Sequence, residues 1–333
     1  MLKLPQKANS PFRGRTVKLI DGSMLTQGGT RDKKGGKSIR LHMCYNLTAG
    51  AMDSVLLTDH HTAESPKLCN INAGDIIMGD AGFGKGKNIA HVTSQDADAL
   101  FRATPSNMRL SVDKNGKQKI DMFAKLKNTK GDIVDFNCYI HTENGHYHPI
   151  RVVASRLPED KAVLAKKRKK RTATRKQFTL GEQSLVYAEW VILITTLDDS
   201  YSAEELLIMY RARWQVELLF KRIKQTFKVQ KLPPATLRHS TVMVLLWLIL
   251  WAVVEKQSLS MEVHLIEKGV DMSRYSPWAA QSFVVFQISA LIHQVWIDCT
   301  TNNNNFSDAF IRLLNHRSCR ENQYFSFHLD AYC

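Results

Sequence analysis

From Ser202 onward the chain is committed to a helix with one apolar face. Ser202 and Glu205 form an S-x-x-E capping box, in which each side chain accepts from the other residue's backbone N–H, and Tyr201 and Leu206 are placed to staple the entry. Val216, Leu219, Phe220, Ile223 and Phe227 then recur at helical spacing along one stripe, so this helix has to pack on a core. The preceding residues supply that core with β-prone segments. Thr16–Ile20, Ile39–Leu47 and Met52–Thr58 read as strands, the latter two as a meander. Asp75–Gly79 is a compact apolar strand ending on Asp80, Ala99–Ala103 is a further strand, and Trp190–Thr195 is another. Ala63–Asn70 is expected to form a short helix.

Between about Arg109 and Val153 the texture changes to polar strands punctuated by Asn115-Gly116 and Asn144-Gly145, which predicts antiparallel β structure with weak helical signal. Lys161–Lys176 is a partly helical run with nine Lys or Arg residues. A second, very apolar helix follows Pro233-Pro234. The pattern stays helical up to the Asn302–Asn305 loop and then ends in a polar tail. The expected division is 1–105 and 197–260 as two parts of one α/β core, 106–196 as a β-rich insertion carrying the basic segment 161–176, and 261–333 as a helical C-terminal region.

Lys and Arg outnumber Asp and Glu by 46 to 31, a formal charge of +15. A surplus of that size favours a polyanion as partner, although a soluble protein with a basic pI has the same composition. The longest apolar run, Val242–Val254, is too short to span a bilayer and reads as a buried helix, so no membrane role is expected. Met1–Arg15 lacks the apolar stretch of a signal peptide. Six scattered cysteines without a C-x-x-C pair argue against zinc and against a disulfide framework, and fit a reducing compartment.

Tyr210, Arg213, Glu217 and Lys224 are spaced by three, four and seven residues, which on a continuous helix puts them within roughly 60° of one another. That places Glu217 beside the apolar stripe and among cations, suited to a metal ion that also touches phosphate. A solvated face with fortuitous spacing would read the same. Asp21 and Asp80 each follow a short apolar strand and precede a small residue. Neighbouring strands can bring such carboxylates to one edge, where a packed helix adds Glu217. Singly, either aspartate also reads as a turn residue or a helix cap. A trio of this kind suits two divalent ions about 3.5–4 Å apart, and Mg²⁺ fits because it prefers oxygen ligands and keeps several waters.

The pattern Tyr210-x2-Arg213-x3-Glu217-x6-Lys224, within Tyr210-Arg211-Ala212-Arg213-Trp214-Gln215-Val216-Glu217-Leu218-Leu219-Phe220-Lys221, resembles the Tyr-Arg-Glu-Lys signature of the insertion-sequence-four family of bacterial DDE transposases. Leu19-Ile20-Asp21-Gly22-Ser23, Arg40-Leu41-His42 and Gly79-Asp80-Ala81-Gly82-Phe83 resemble the motifs around the family's two aspartates. The resemblance covers about Phe12 to Lys231. It implies an RNase H-like mixed sheet flanked by helices, with Asp21, Asp80 and Glu217 as catalytic ligands of two Mg²⁺ ions for which Mn²⁺ can substitute. It further implies that Tyr210, Arg213, Lys221 and Lys224 contact DNA. Trp190 would stack on a base flipped out near the transposon end, or else be a plain core residue. The implied partners are transposon-end and target DNA and a second copy of the chain on paired ends, in a bacterial cytoplasm at the nucleoid.

Two departures from the family pattern stand out. Ala81 occupies a position that is usually basic, and only twenty residues precede Asp21 where relatives carry a helical DNA-binding region, which implies an N-terminally truncated copy. Two other functions compete. A catalytically inactive relic could bind DNA through Lys161–Lys176 alone, since phosphate contacts need charge rather than a specific fold. Gly79-x4-Gly84-Lys85 approximates a nucleotide-hydrolysing P-loop, but Gly86 stands where the Mg²⁺-binding hydroxyl belongs.

Overall fold

The computed structural model describes residues 12–27, 38–105, 108–143, 145–226, 231–232, 237–271, 276 and 279–290. The chain divides into two compact units, Met1–Ile249 and Leu250–Cys333.

The first unit is built on one mixed sheet. Strands β1 (Val17–Gln27), β2 (Ser38–Asn46) and β3 (Ala51–Asp59) form an antiparallel meander. Strand β4 (Ile76–Gly79) then lies parallel to β1. Helix α1 (Gly86–Thr93) crosses to β5 (Asp98–Arg102), which is parallel to β4. The next segment contributes β6 (Leu110–Ser111), α2 (Met122–Asn128), β7 (Ile133–His141) and β8 (Tyr147–Arg156), followed by α3 (Glu159–Lys176) and α4 (Glu182–Ala188). Strand β9 (Trp190–Thr195) closes the gap, pairing antiparallel with β5 on one side and β8 on the other. Helices α5 (Ala203–Arg211) and α6 (Trp214–Thr226) follow, then the two-residue β10 (Lys231–Leu232), parallel to β1. The strand order is β3-β2-β1-β4-β5-β9-β8-β7-β6. The first five positions form the RNase H-like mixed sheet that the family resemblance implies, and the β-rich segment joins it as a continuation of the same sheet.

The two faces of the sheet carry different helices. Ile20, Ile77, Ala99 and Phe101 share a buried cluster with Ile89 and Val92 of α1. Their neighbours Leu19, Met78 and Leu100 are equally buried but, by the two-residue alternation of a strand, point to the opposite face. Leu206 and Met209 of α5, and Val216, Leu219 and Ile223 of α6, are buried as well. Those of α6 belong to the stripe that the sequence shows, and together with those of α5 they pack against that second face.

Several elements differ from the sequence reading. Ala63–Asn70 holds only a 3₁₀ turn, Pro66–Leu68, capped by Ser65; Pro66 cannot donate an amide hydrogen bond, so it starts a turn and cannot sit inside a helix. Helix α2, absent from the β-strand reading, is started by Asp121, whose carboxylate accepts from the amides of Phe123 and Ala124. The apolar run Val242–Val254 lies inside a longer helix α7 (Leu237–Glu267). By length and composition α7 could cross a bilayer, so length does not exclude a span as the shorter run suggested. In the second unit its later turns bury Glu255, Ser258 and Glu262, and the Gln281 amide donates to Glu255 from helix α8 (Ala279–Ala290).

Candidate active site

The parallel ladder between β1 and β4 pairs Val17 with Ile76, Lys18 with Ile77 and Leu19 with Met78. Continued two steps in the same register, it sets Asp21 beside Asp80. The β4–β5 ladder, pairing Gly79 with Phe101, likewise sets Asp80 beside Arg102. Partners in a parallel ladder point to the same face, so both aspartates project on the side of α5 and α6. Asp21 is not a strand-end residue as its sequence context suggests. Strand β1 runs on to Gln27 because β2 continues to pair with it, matching Asp21 to Met43. Asp80 does follow the last residue of its strand.

Each aspartate is steadied by the backbone just beyond it. The Gly22 amide donates to Asp21 Oδ1 and the Gly82 amide to Asp80 Oδ1, both at 2.8 Å. Burial, followed by the charges of Asp80 and Glu64, pushes the Asp21 carboxyl up to about 6, against the pull of the Gly22 amide and Arg213. Glu64, which sequence reasoning did not single out, lies at the same edge. Burial raises its carboxyl too, with Arg40 opposing and Asp80 adding to the rise.

The helix that delivers the remaining residues is broken. Sequence spacing treats Tyr210 to Lys224 as one helix, but α5 ends at Arg211 and α6 begins at Trp214. Between them the amides of Ala212, Arg213, Gln215 and Val216 donate to carbonyls three residues back, a tightened 3₁₀ connection. The capping box is present, with the Glu205 amide donating to Ser202 Oγ at 3.1 Å and the Ser202 amide to Glu205 Oε2 at 2.7 Å. Tyr210 donates its hydroxyl to the Gly79 carbonyl at 3.3 Å, which ties the end of α5 to the end of β4. Burial pushes its phenol up to about 12 in spite of Arg213 and Arg102.

Arg213 joins the two halves of the site. Its guanidinium donates to Glu217 and lies 5.7 Å from the centre of the Tyr210 ring. Burial works against the Arg213 charge, but Tyr210, Glu217 and Asp21 outweigh it and hold the guanidinium more firmly protonated. Glu217 is half exposed, on the same side of α6 as Trp214 and Lys221. Lys224 lies on α6, but its side chain is outside the described residues, and so is Phe227. Among the described residues, no three acidic, histidine or cysteine side chains are gathered closely enough to enclose an ion as they stand. Glu217 is turned to Arg213, as Glu64 is turned to Arg40.

Residues 12–253 match the model of the transposase DDE domain. The chain belongs to the DDE transposase family. It is 30% identical over 227 residues to the "Putative transposase InsL for insertion sequence element IS186A" of Escherichia coli strain K12, covering 66% of this chain and 60% of that protein. It is equally similar to the "Transposase for insertion sequence element IS421" of Escherichia coli, over 66% of this chain and 59% of the relative. The chain thus spans about three fifths of the length of these relatives. DDE transposase domains use divalent metal ions, and two adjacent aspartates with free acceptor oxygens are a suitable donor set for a hard cation.

The structure bears on two readings that the sequence left open. Trp190 opens β9 at the sheet edge where β5 ends, yet its side chain is in the core, 3% exposed, among Ile192, Ile150 and Val152. The Arg156 guanidinium lies 4.6 Å from the centre of its ring. Trp190 therefore fills core volume, and its ring is not presented for stacking on a base. The glycine-rich loop is not a phosphate cradle either. A Cβ on Gly84 would meet the Arg102 carbonyl oxygen at 2.3 Å, and one on Gly86 the His141 carbonyl oxygen at 2.0 Å. These glycines let the loop pass directly against neighbouring backbone, which leaves no room there for a nucleotide.

Signals for the site residues that the sequence missed are weak. Glu64 sits in a loop with no periodicity to mark it, and Arg102 ends a short strand that is apolar only from Ala99 to Phe101. Trp214, 61% exposed, stands one residue beyond Arg213 within the helix motif.

Proposed function

We propose that this chain is a DNA transposase of the insertion-sequence-four type, cleaving transposon ends and joining them to target DNA. The observation that carries the proposal is the placement of Asp21 beside Asp80 with the Tyr210–Arg213–Glu217 segment packed across them. Asp21, Asp80 and Glu217 are the proposed ligands of Mg²⁺, or of Mn²⁺ in its place. When bound, two such ions would activate the attacking oxygen and stabilise the leaving one.

The reaction is a hydrolysis followed by transesterification. Water attacks a phosphodiester at the transposon end, one P–O bond breaks, and a 3′-hydroxyl is freed. That hydroxyl then attacks a second phosphodiester, first on the opposite strand if a hairpin forms and finally in target DNA. In this scheme Asp21, on β1, and Asp80, just beyond β4, present acceptor oxygens from half-buried positions that their glycine amides help to fix. Arg213 holds Glu217 at the edge and offers N–H groups to a phosphate that arrives there. Tyr210 fixes the helix end against β4. Lys221 and Lys224 are proposed phosphate contacts on α6, and the exposed Lys and Arg residues of α3 add sequence-independent phosphate contacts. Catalysis on paired ends calls for two copies of the chain, in the cytoplasm of a bacterium at its nucleoid.

The test is nicking of a supercoiled plasmid carrying the element's own ends, with Mg²⁺, Mn²⁺ or chelator. Wild-type protein should nick only with a divalent ion, and Asp21→Asn or Asp80→Asn should abolish nicking while leaving DNA binding in place. DNA binding without any metal-dependent nicking would leave the binding-only relic as the function.

A further inference from the structure

Asp21 and Asp80 are each followed at close range by a glycine, Gly22 and Gly82, and one side chain occupies the space that both glycines leave open. A Cβ on Gly22 would lie 2.4 Å from Glu64 Oε1 and 2.8 Å from its Cδ and Cγ. A Cβ on Gly82 would lie 3.0 Å from Asp80 Oδ1 and 3.5 Å from Glu64 Oε2. The Glu64 carboxylate thus reaches from Gly22 of β1 to Gly82 beside Asp80, across the end of the strand pair that carries the two aspartates.

Its only cationic partner within ion-pair distance among the described residues is Arg40 Nη1 at 3.5 Å. Arg40 is held in β2 opposite Met24 and Thr58, and its Nη2 donates to the His60 carbonyl at 3.4 Å. The Glu64 side chain is 27% exposed, so it sits at the rim where an incoming ion would pass. The arrangement repeats what α6 does on the other side of the aspartates, where Arg213 holds Glu217. Two fixed aspartates are flanked by two glutamates, each resting on an arginine.

We propose that Glu64 is a further metal ligand of this centre, turning from Arg40 to the divalent ion held by Asp21 and Asp80. This rests on the reading of Asp21 and Asp80 as metal ligands. The long glutamate side chain can swing about its own torsions, and the pair it leaves is a single long contact of 3.5 Å. Gly22 leaves open the volume in which the carboxylate rests against Arg40 before it turns.

The experiment is Mn²⁺ binding to the full chain, read from the free-ion paramagnetic resonance signal, with thermal unfolding in chelator to verify folding of each variant. Glu64→Gln should weaken Mn²⁺ binding about 10-fold or more, the size of loss expected when an ion's coordination is disturbed. Glu64→Asp should weaken it as well, because it retains every charge while shortening the reach of the carboxylate. If both variants bind Mn²⁺ as tightly as wild type while Asp21→Asn and Asp80→Asn bind it poorly, Glu64 is only the partner of Arg40 and the inference falls, the aspartate site standing. If wild type binds no Mn²⁺, or the aspartate variants bind it unchanged, the reading of the site falls and the inference with it.

Discussion

At the scale of single residues, Asp21 and Glu217 should answer substitution with opposite signs. The Asp21 carboxyl titrates near 6 in the fold against an ordinary value of 3.8, so the folded protein binds its proton more tightly than the unfolded chain does. Ionising it therefore costs stability: the penalty is absent below about pH 4 and fully present above about pH 6, reaching at most about 3 kcal/mol. Asp21→Asn removes the penalty. Urea unfolding in chelator should show the variant more stable than wild type at pH 8 and no more stable at pH 4; a constant difference would mean that Asp21 does not carry the strain. Glu217 is instead the half-exposed partner of a buried arginine. Glu217→Gln should lower stability in chelator by about 1 kcal/mol or less, the usual size for such a pair. It should also abolish nicking, whereas a variant that still nicks would remove Glu217 from the chemistry.

At the scale of elements, the loop between β4 and α1 and the basic helix α3 make separate predictions. Gly84 and Gly86 face backbone carbonyls at distances where no Cβ fits. Alanine at either position has to move β5 or the end of β7, at a cost of about 1–3 kcal/mol or more, measurable as a fall in the urea midpoint. A P-loop glycine would instead show its defect in nucleotide protection, which neither wild type nor variant should display. Helix α3 buries only Ala173 and, apart from Lys166, which pairs with Glu189, leaves the cations between Lys167 and Arg171 in solvent, as expected of a surface laid against phosphate. Neutralising Lys166 to Arg171 should lower the slope of log affinity against log salt by about one for each phosphate that is no longer neutralised. An unaltered slope would return α3 to plain solvated surface.

At the scale of the whole molecule, β1 is the strand on which the site depends, since it pairs with β2, β4 and β10. It is pinned by Lys18, 2% exposed, whose ammonium lies 2.9 Å from Asp75 and 3.5 Å from Asp53 and donates to the Asn70 carbonyl. Lys18→Met would leave the nearly buried Asp75 without its cation and should cost about 3–5 kcal/mol in urea unfolding. A loss below 1 kcal/mol would show that the β1–β4 register is held by the ladder alone. The sequence by itself determined what depends on neighbours along the chain. The cap at Ser202, the apolar stripe of α6, the strands that lead to the two aspartates and the surplus of positive charge are all local patterns. So is the helix motif that carries Tyr210, Arg213 and Glu217. Only the tertiary structure decided what depends on chain crossing chain. The shared register of β1 and β4 sets Asp21 beside Asp80. Backbone carbonyls from Arg102 and His141 turn an apparent phosphate loop into a packing device. The burial of Trp190 and the arrival of Glu64 between two glycines likewise leave no periodic trace, because their causes lie in residues far away along the chain.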